Sequence, residues 1–340
     1  MTTFSEKQEY ETGFDWGGSM GIAILCRLPW INQGGVRAVC RSFRDVLSSE
    51  EFVQERYESG YVEIGMVLVV DGSWGHDRPS ETILDVDGTF LKGQTMTPHR
   101  KSYCSTVIDN ELWVFGGTDW FGRESLSTVE VFSHVSNNWR SLPAMNTARS
   151  VAVCGVLAGG SPIVAGGYNN NDKDLTSAEA YDFTTGVWNP IAPLPCTVNC
   201  AAAVVLNGCL FVAGGGGRGT SSEKLLMWDT KTWTFKASMP IGRKGATSVV
   251  YEGKMMVIGG WIDYEMTDSV IIYDPETDTW SDGPSLPEPR ANNCHAVEHE
   301  GYIILICHKG SPNLCLIDGN WTPELEFGVF FDAVGSVVLG

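Results

Sequence analysis

Basic residues are scarce in this chain: 23 Lys and Arg stand against 41 Asp and Glu, a formal net charge of −18. Phosphate backbones are bound by clustered Lys and Arg, so a balance of this sign excludes general nucleic-acid binding as the expected work. Long apolar runs are missing as well. None approaches the roughly 18 residues of a membrane-spanning helix. Met1–Tyr10 has neither the basic nor the apolar region of a leader. The sequence therefore predicts no membrane association and a place in the cytoplasm, the nucleus or both.

The motifs of familiar chemistry are equally sparse. The ten cysteines include no Cys-x-x-Cys pair, and Cys196 and Cys200 have no nearby His to complete a zinc site. Reduced thiols are the expectation. Of the six histidines only His295 and His299 lie close together, and no third ligand accompanies them. Gly214–Gly219 lacks the Gly-Lys-Ser/Thr ending of a phosphate loop, and no helix follows it. No nucleophile elbow is present. The reading is a non-catalytic protein with no cofactor and no metal.

Glycine and tryptophan are plentiful, at 39 and 12 residues, and they recur together. Glu111-Leu-Trp-Val-Phe-Gly-Gly117 is followed by Val129–Phe132 and Trp139. Ile163-Val-Ala-Gly-Gly167 leads to Ala180–Asp182 and Trp188. Leu210-Phe-Val-Ala-Gly-Gly215 leads to Met227–Asp229 and Trp233, and Met256-Val-Ile-Gly-Gly260 to Ile272–Asp274 and Trp280. The second glycines fall at 117, 167, 215 and 260, steps of 50, 48 and 45 residues. A period in this range marks a solenoid or a propeller. Each unit reads as four short strands, one propeller blade. The paired glycines suit a strand end with unusual dihedrals or a close backbone neighbour. The tryptophan is large enough to wedge between blades, burying on the order of 150–250 Å².

Two degenerate copies keep the period. Leu68–Gly72 precedes Ile83, Leu84 and Phe90, while Ile304–His308 precedes Leu316, Ile317 and Trp321. Six blades centred near 72, 117, 167, 215, 260 and 308 are expected. The first copy has no innermost strand before it. Ala333–Gly340 resembles Cys200–Gly208, the innermost strand of the 215 copy, so residues 330–339 are expected to pair with 63–70 and close the ring; an open edge would invite aggregation.

Glycine pair, aromatic and tryptophan at these spacings resemble the kelch repeat, over roughly residues 61–340. Ahead of it, residues 1–20 have no period, and 21–60 read as helical. Ile22–Leu28 is a helix stopped by Pro29. Val36, Val39, Cys40, Phe43, Val46 and Leu47 form one helical stripe, and Ser48 with Glu51 is a capping box for a third helix. Cys-Arg-Leu-Pro29, Val36–Arg44 and Ser48–Phe52 resemble an F-box. The expected fold is thus a mainly β, six-bladed kelch-type propeller behind a small α-helical F-box-like head.

That resemblance implies the substrate-recognition subunit of a cullin-type ubiquitin ligase. A Skp-type adaptor, and through it a cullin, would meet Ile22, Leu25, Leu28, Pro29, Val36, Val39, Cys40 and Phe43. A protein substrate would meet one propeller rim, which the kelch resemblance assigns to two sets. The first is Trp74, Trp120, Tyr168, Arg218 and Trp261, after the glycine pairs. The second is Arg100, Arg149, Asn199, Arg243 and Arg290, at the heads of the innermost strands. Aromatics and arginines dominate binding hot spots, and a ring of arginines on an acidic body would attract an acidic or carboxylate-bearing segment. F-boxes usually open on a Leu-Pro-Asp-type start, where this chain has Phe14–Met20. That departure favours the alternative of a kelch scaffold outside any ligase. A propeller-based oxidase is disfavoured because no Tyr and His ligand set can be placed.

Overall fold

A computed structural model describes the backbone of strands at 65–70, 81–86, 89–92 and 338–339. It also describes residues 94–323 apart from 95, 98, 110, 120, 134–135, 137, 158–159, 171–172, 217–219, 292–293, 300–301 and 307–313. The expected head over 21–60, with Ile22, Leu25, Leu28, Pro29, Val36, Val39, Cys40 and Phe43, lies outside the described residues. Among the described residues every regular element is a strand. The chain divides into two compact units, 1–65 with 85–91 and 339–340, and 66–84 with 92–338. All the side-chain packing below belongs to the second.

Five four-stranded antiparallel blades follow one another, each with its strands paired in chain order. The first is Cys104–Ile108, Glu111–Phe115, Val129–Ser133 and Asn138–Leu142. The second is Val153–Val156, Pro162–Ala165, Ala178–Asp182 and Val187–Ile191. The third comprises Ala202–Leu206, Cys209–Ala213, Leu225–Trp228 and Trp233–Lys236. The fourth comprises Thr247–Tyr251, Lys254–Ile258, Val270–Asp274 and Thr279–Asp282, and the fifth His295–His299, Tyr302–Ile306, Leu314–Ile317 and Asn320–Pro323. The degenerate copy near 308 thus forms a complete sheet. At the other end, Gly65–Val70, Glu81–Val86, Thr89–Lys92 and Val338–Leu339 hydrogen-bond in the order 89–92, 81–86, 65–70, 338–339.

The sequence pattern explains why these sheets stack. The second strand of each blade is apolar at consecutive positions, as in Leu112, Trp113, Val114 and Phe115, all at most 4% exposed. A strand apolar on both faces needs cover on both faces. Consecutive blades supply it. Phe115 and Val131 of the first blade share a core with Val164, Tyr181 and Trp188 of the second. Ile163 and Ala178 meet Leu210, Leu226 and Trp228; Phe211 and Leu225 meet Met255 and Tyr273; Met256 and Val270 meet Ile303, Leu316 and Trp321.

The recurrent tryptophans do more than fill space. Each indole N–H donates to the carbonyl of a residue just beyond the outermost strand of the preceding repeat: Trp139 to Gln94 at 3.0 Å, Trp188 to Pro143 at 2.9 Å, Trp233 to Ala192 at 2.9 Å, Trp280 to Ala237 and Trp321 to Pro284 at 2.7 Å. Outer edges are thereby latched at one-repeat intervals, each bond contributing about 1 kcal/mol beyond the ring's burial.

Candidate interaction face

Antiparallel pairing of the first two strands sets Cys104 opposite Phe115 and Ala202 opposite Ala213, so innermost-strand heads and glycine pairs share one end of the propeller. The glycines are dictated by the next blade. Gly116 lies at φ +59°, and a Cβ there would sit 2.3 Å from the Arg149 carbonyl. The Gly117 N–H donates to that same carbonyl at 2.9 Å. Only glycine tolerates both the dihedral and the approach.

Nearer the axis, backbone bonds run from blade to blade. Val151 N–H donates to Ser102 C=O at 2.7 Å, Cys200 N–H to Val151 C=O at 3.1 Å, and Gly245 N–H to Cys200 C=O at 2.7 Å. All four residues are left-handed, with φ of 57°, 47°, 50° and 61° for Ser102, Val151, Cys200 and Gly245. At Val151 and Cys200 the kink turns the N–H towards one neighbouring blade and the C=O towards the other.

The expected ring of partner-facing arginines is corrected by burial. Arg100, Arg149, Arg243 and Arg290 are 1%, 1%, 2% and 5% exposed. Arg149 Nη1 donates to Gly166 C=O at 2.7 Å and Ser177 C=O at 2.9 Å, and Nη2 reaches Glu179 Oε1 at 2.8 Å. Glu179 is held in turn by the backbone N–H groups of Asn146 and Thr147. Arg100 repeats the scheme with Gly116, Thr128 and Glu130, and Arg243 repeats its carbonyl half with Gly259 and Ser269. Ile271 stands where Glu130 and Glu179 stand in their blades. Burial lowers the pKa of Arg243, and that of Arg100 despite the opposing pull of Glu130. Arg290 Nη2 pairs with the half-exposed Glu288 at 2.8 Å. The guanidinium groups of Arg100, Arg149 and Arg243 are spent on the scaffold, because a fork of donors at that depth meets the free carbonyls at the glycine pair.

Asn199 is displaced by one residue from its expected place. The carbonyl that caps a glycine pair belongs to Arg149, Arg243 and Arg290 in three blades, and to Val198 in the fourth instance, through Gly167 N–H at 2.6 Å. Val198 is buried, and Asn199 follows it, donating through Nδ2 to Asp174 Oδ1 at 2.5 Å. Tyr168 and Trp261 are half-buried and stand at the bases of short hairpins that extend beyond the glycine pairs. Both bond to the residue after the buried arginine, Tyr168 with Ser150 and Trp261 with Lys244. Trp74, Trp120 and Arg218 lie outside the described residues.

The tips of this end carry apolar side chains that the sequence reading passed over. Phe121 is 67% exposed and Tyr264 80%; Met266 and Ile241 are about half exposed. Arg123 sits over the Phe121 ring, 4.9 Å from its centroid. For Phe121, Tyr264 and Met266 the available signal was their position, since large apolar residues between a glycine pair and the next blade strand have no blade to face. Rings in water with an apolar body suit protein contact better than bond-making chemistry.

A family model described as Kelch motif matches residues 99–146, 163–195, 198–240 and 242–287, half of the chain. The chain belongs to the kelch family. The four matched kelch stretches run through the first four blades, and the degenerate fifth was recognisable by its spacing. Two F-box/kelch-repeat proteins of Arabidopsis thaliana, At2g44130 and At1g67480, are 26% and 27% identical to it over 52% and 57% of this chain and 51% of their own. Kelch-like protein 35 of Mus musculus is 28% identical over 72% of this chain and 42% of its own. The chain thus matches about half the length of these curated relatives. These likenesses support the resemblance to the F-box/kelch-repeat proteins drawn from the sequence. The solved structure of YjhT covers 75% of this kelch chain and 97% of its own with a TM-score of 0.62 at 15% identity, a likeness of fold.

Proposed function

We propose that this kelch protein is the substrate-recognition subunit of an SCF-type ubiquitin ligase. Residues 21–60 dock on a Skp-type adaptor and through it a cullin, while the glycine-pair end of the propeller holds a target protein. The observation that carries the reading is the coupling of an F-box-like segment, Val36–Arg44 with Ser48–Phe52, to a kelch propeller that has F-box/kelch-repeat relatives. The protein itself makes and breaks no bond; tethering raises the effective concentration of target beside the conjugating machinery. The sheet formed by 65–70, 81–86, 89–92 and 338–339 acts as a sixth blade, and the C-terminal strand closes the ring. The protein works in the cytoplasm or nucleus.

The contact set on the target side is revised from the sequence reading. Trp74, Trp120, Tyr168, Asn199, Arg218 and Trp261 stay in it, Phe121, Ile241, Tyr264 and Met266 join it, and the buried arginines Arg100, Arg149, Arg243 and Arg290 leave. Those arginines, being buried, offer no charge to an acidic target segment. A kelch scaffold outside any ligase is the second reading, favoured by the Phe14–Met20 start and by relatives named Kelch-like. Co-purification of the full chain from cells decides between them. Recovery of a Skp-type adaptor and a cullin supports the first reading, and a folded protein that recovers a target but never the adaptor supports the second.

A further inference from the structure

Two cysteines face each other across one blade interface and take no part in the reading above. Cys104 opens the innermost strand of the first blade, and Cys154 lies in the innermost strand of the second. Their side chains pack against the same interblade core, beside Phe115, Val164 and Trp188. The Cys154 thiol donates to the Ser105 carbonyl at 3.2 Å, one residue along the chain from Cys104. Both cysteines are free and keep partial solvent exposure. In the other blades the positions aligned with Cys104 hold Val153, Ala202, Thr247 and His295, and those aligned with Cys154 hold Ser105, Ala203, Ser248 and Ala296. Of the interfaces between described blades, this one alone carries a thiol on both sides at this level.

We infer that Cys104 and Cys154 are a reversible redox pair, oxidised by hydroperoxides to a disulfide that staples the first and second blades together at their inner edge. The Cys104 thiolate attacks the peroxide O–O bond, giving Cys104 sulfenic acid and hydroxide, which takes up the proton released from Cys104. Cys154 sulfur then displaces the sulfenic hydroxyl, its own proton leaving with that group as water. Two thiols lose two electrons and two protons, and hydrogen peroxide is reduced to two waters. The hydrogen bond between the Cys154 and Cys104 sulfurs, and after it burial, push the Cys154 thiol well above its usual range. A thiol with so little thiolate is the poorer first nucleophile, which leaves attack on the peroxide to Cys104, and reach between adjacent strands is the geometric requirement for the bond. The bond would cross-link two blades that are otherwise joined by packing, tryptophan latches and backbone bonds, and would stiffen the end that carries Tyr168 and Phe121.

The test is peptide mapping of the full wild-type chain after a short exposure to hydrogen peroxide, with alkylation of remaining thiols. The expected result is one cross-linked peptide joining Cys104 to Cys154, loss of alkylation at both, and full recovery after dithiothreitol. In Cys154→Ser the cross-link should vanish and Cys104 should progress to irreversible sulfinic or sulfonic acid. Both cysteines remaining alkylatable, each oxidising independently, or disulfides forming at other cysteines instead would overturn the inference. The wild-type map needs no variant to fold, and Cys154→Ala checks the same point with an apolar replacement.

Discussion

Arg149 Nη1 lies 2.7 Å from the carbonyl of Gly166, the first glycine of the pair that ends the second strand of its own blade. Because Gly166 sits at φ +66° and its neighbour Gly167 bonds to the next blade, that carbonyl has no strand partner of its own. The arginine therefore completes the bend that the glycines create. Glycine pair and arginine are one device, written 17 residues apart.

From that relationship follows a test of what the arginines are for. Arg149→Ala would leave the Glu179 carboxylate, 2% exposed, without its cation. Breaking a buried pair from one side costs about 3–5 kcal/mol, so the expected outcome is a large fall in Tm by calorimetry. Arg149→Lys should recover part of it, since an ammonium cannot serve Gly166, Ser177 and Glu179 with one planar fork. A variant that keeps its Tm and loses its target would return Arg149 to the partner-contact set.

Val151 offers a change of the opposite sign. A β-branched residue at φ 47° carries strain of about 1–2 kcal/mol, held in place by the bonds to Ser102 and Cys200. Val151→Gly should relieve it against a smaller entropic loss, raising stability by about 0.5–1 kcal/mol in urea unfolding. A destabilised variant would mean that the valine side chain contributes more than its backbone costs.

His295 makes stability depend on pH. Burial pushes its pKa from 6.5 down to about 4. The unfolded chain then binds a proton that the folded chain refuses between those values, so stability is complete above about pH 6.5 and is lost as pH falls towards 4. The side chain is half-buried, which limits the effect to about 2 kcal/mol. His295→Gln should lose less stability than wild type between pH 7 and pH 4.5; equal slopes would count against a neutral buried imidazole.

Much of the scaffold was legible because propeller blades repeat a local rule. The glycine pairs at 117, 167, 215 and 260 mark strand ends where two backbones meet, and Trp139, Trp188, Trp233 and Trp280 mark outer edges that must latch to the preceding repeat. Both requirements recur with the period, so spacing reveals them. The arginines were misread because residue type says nothing of depth: a guanidinium on a rim and one satisfying buried carbonyls look alike in sequence. Asn199 was displaced for a related reason, since Val198 keeps the backbone role of Arg149 without its side chain. Phe121, Tyr264 and Met266 were missed because an apolar residue in a loop earns notice only when the strands around it are known to be fully covered.

On the proposed reading, residues 21–60 serve the ligase and the glycine-pair end serves the target. Quantitative mass spectrometry of proteins recovered with the full chain decides this, comparing wild type, Leu28→Asp with Phe43→Asp, and Phe121→Ser with Tyr264→Ser. The first double variant should lose the Skp-type adaptor and cullin and keep the target. The second should lose the target and keep the adaptor, with unchanged Tm in both. Recovery of adaptor and cullin undiminished by Leu28→Asp with Phe43→Asp, or their absence from wild type, would contradict it.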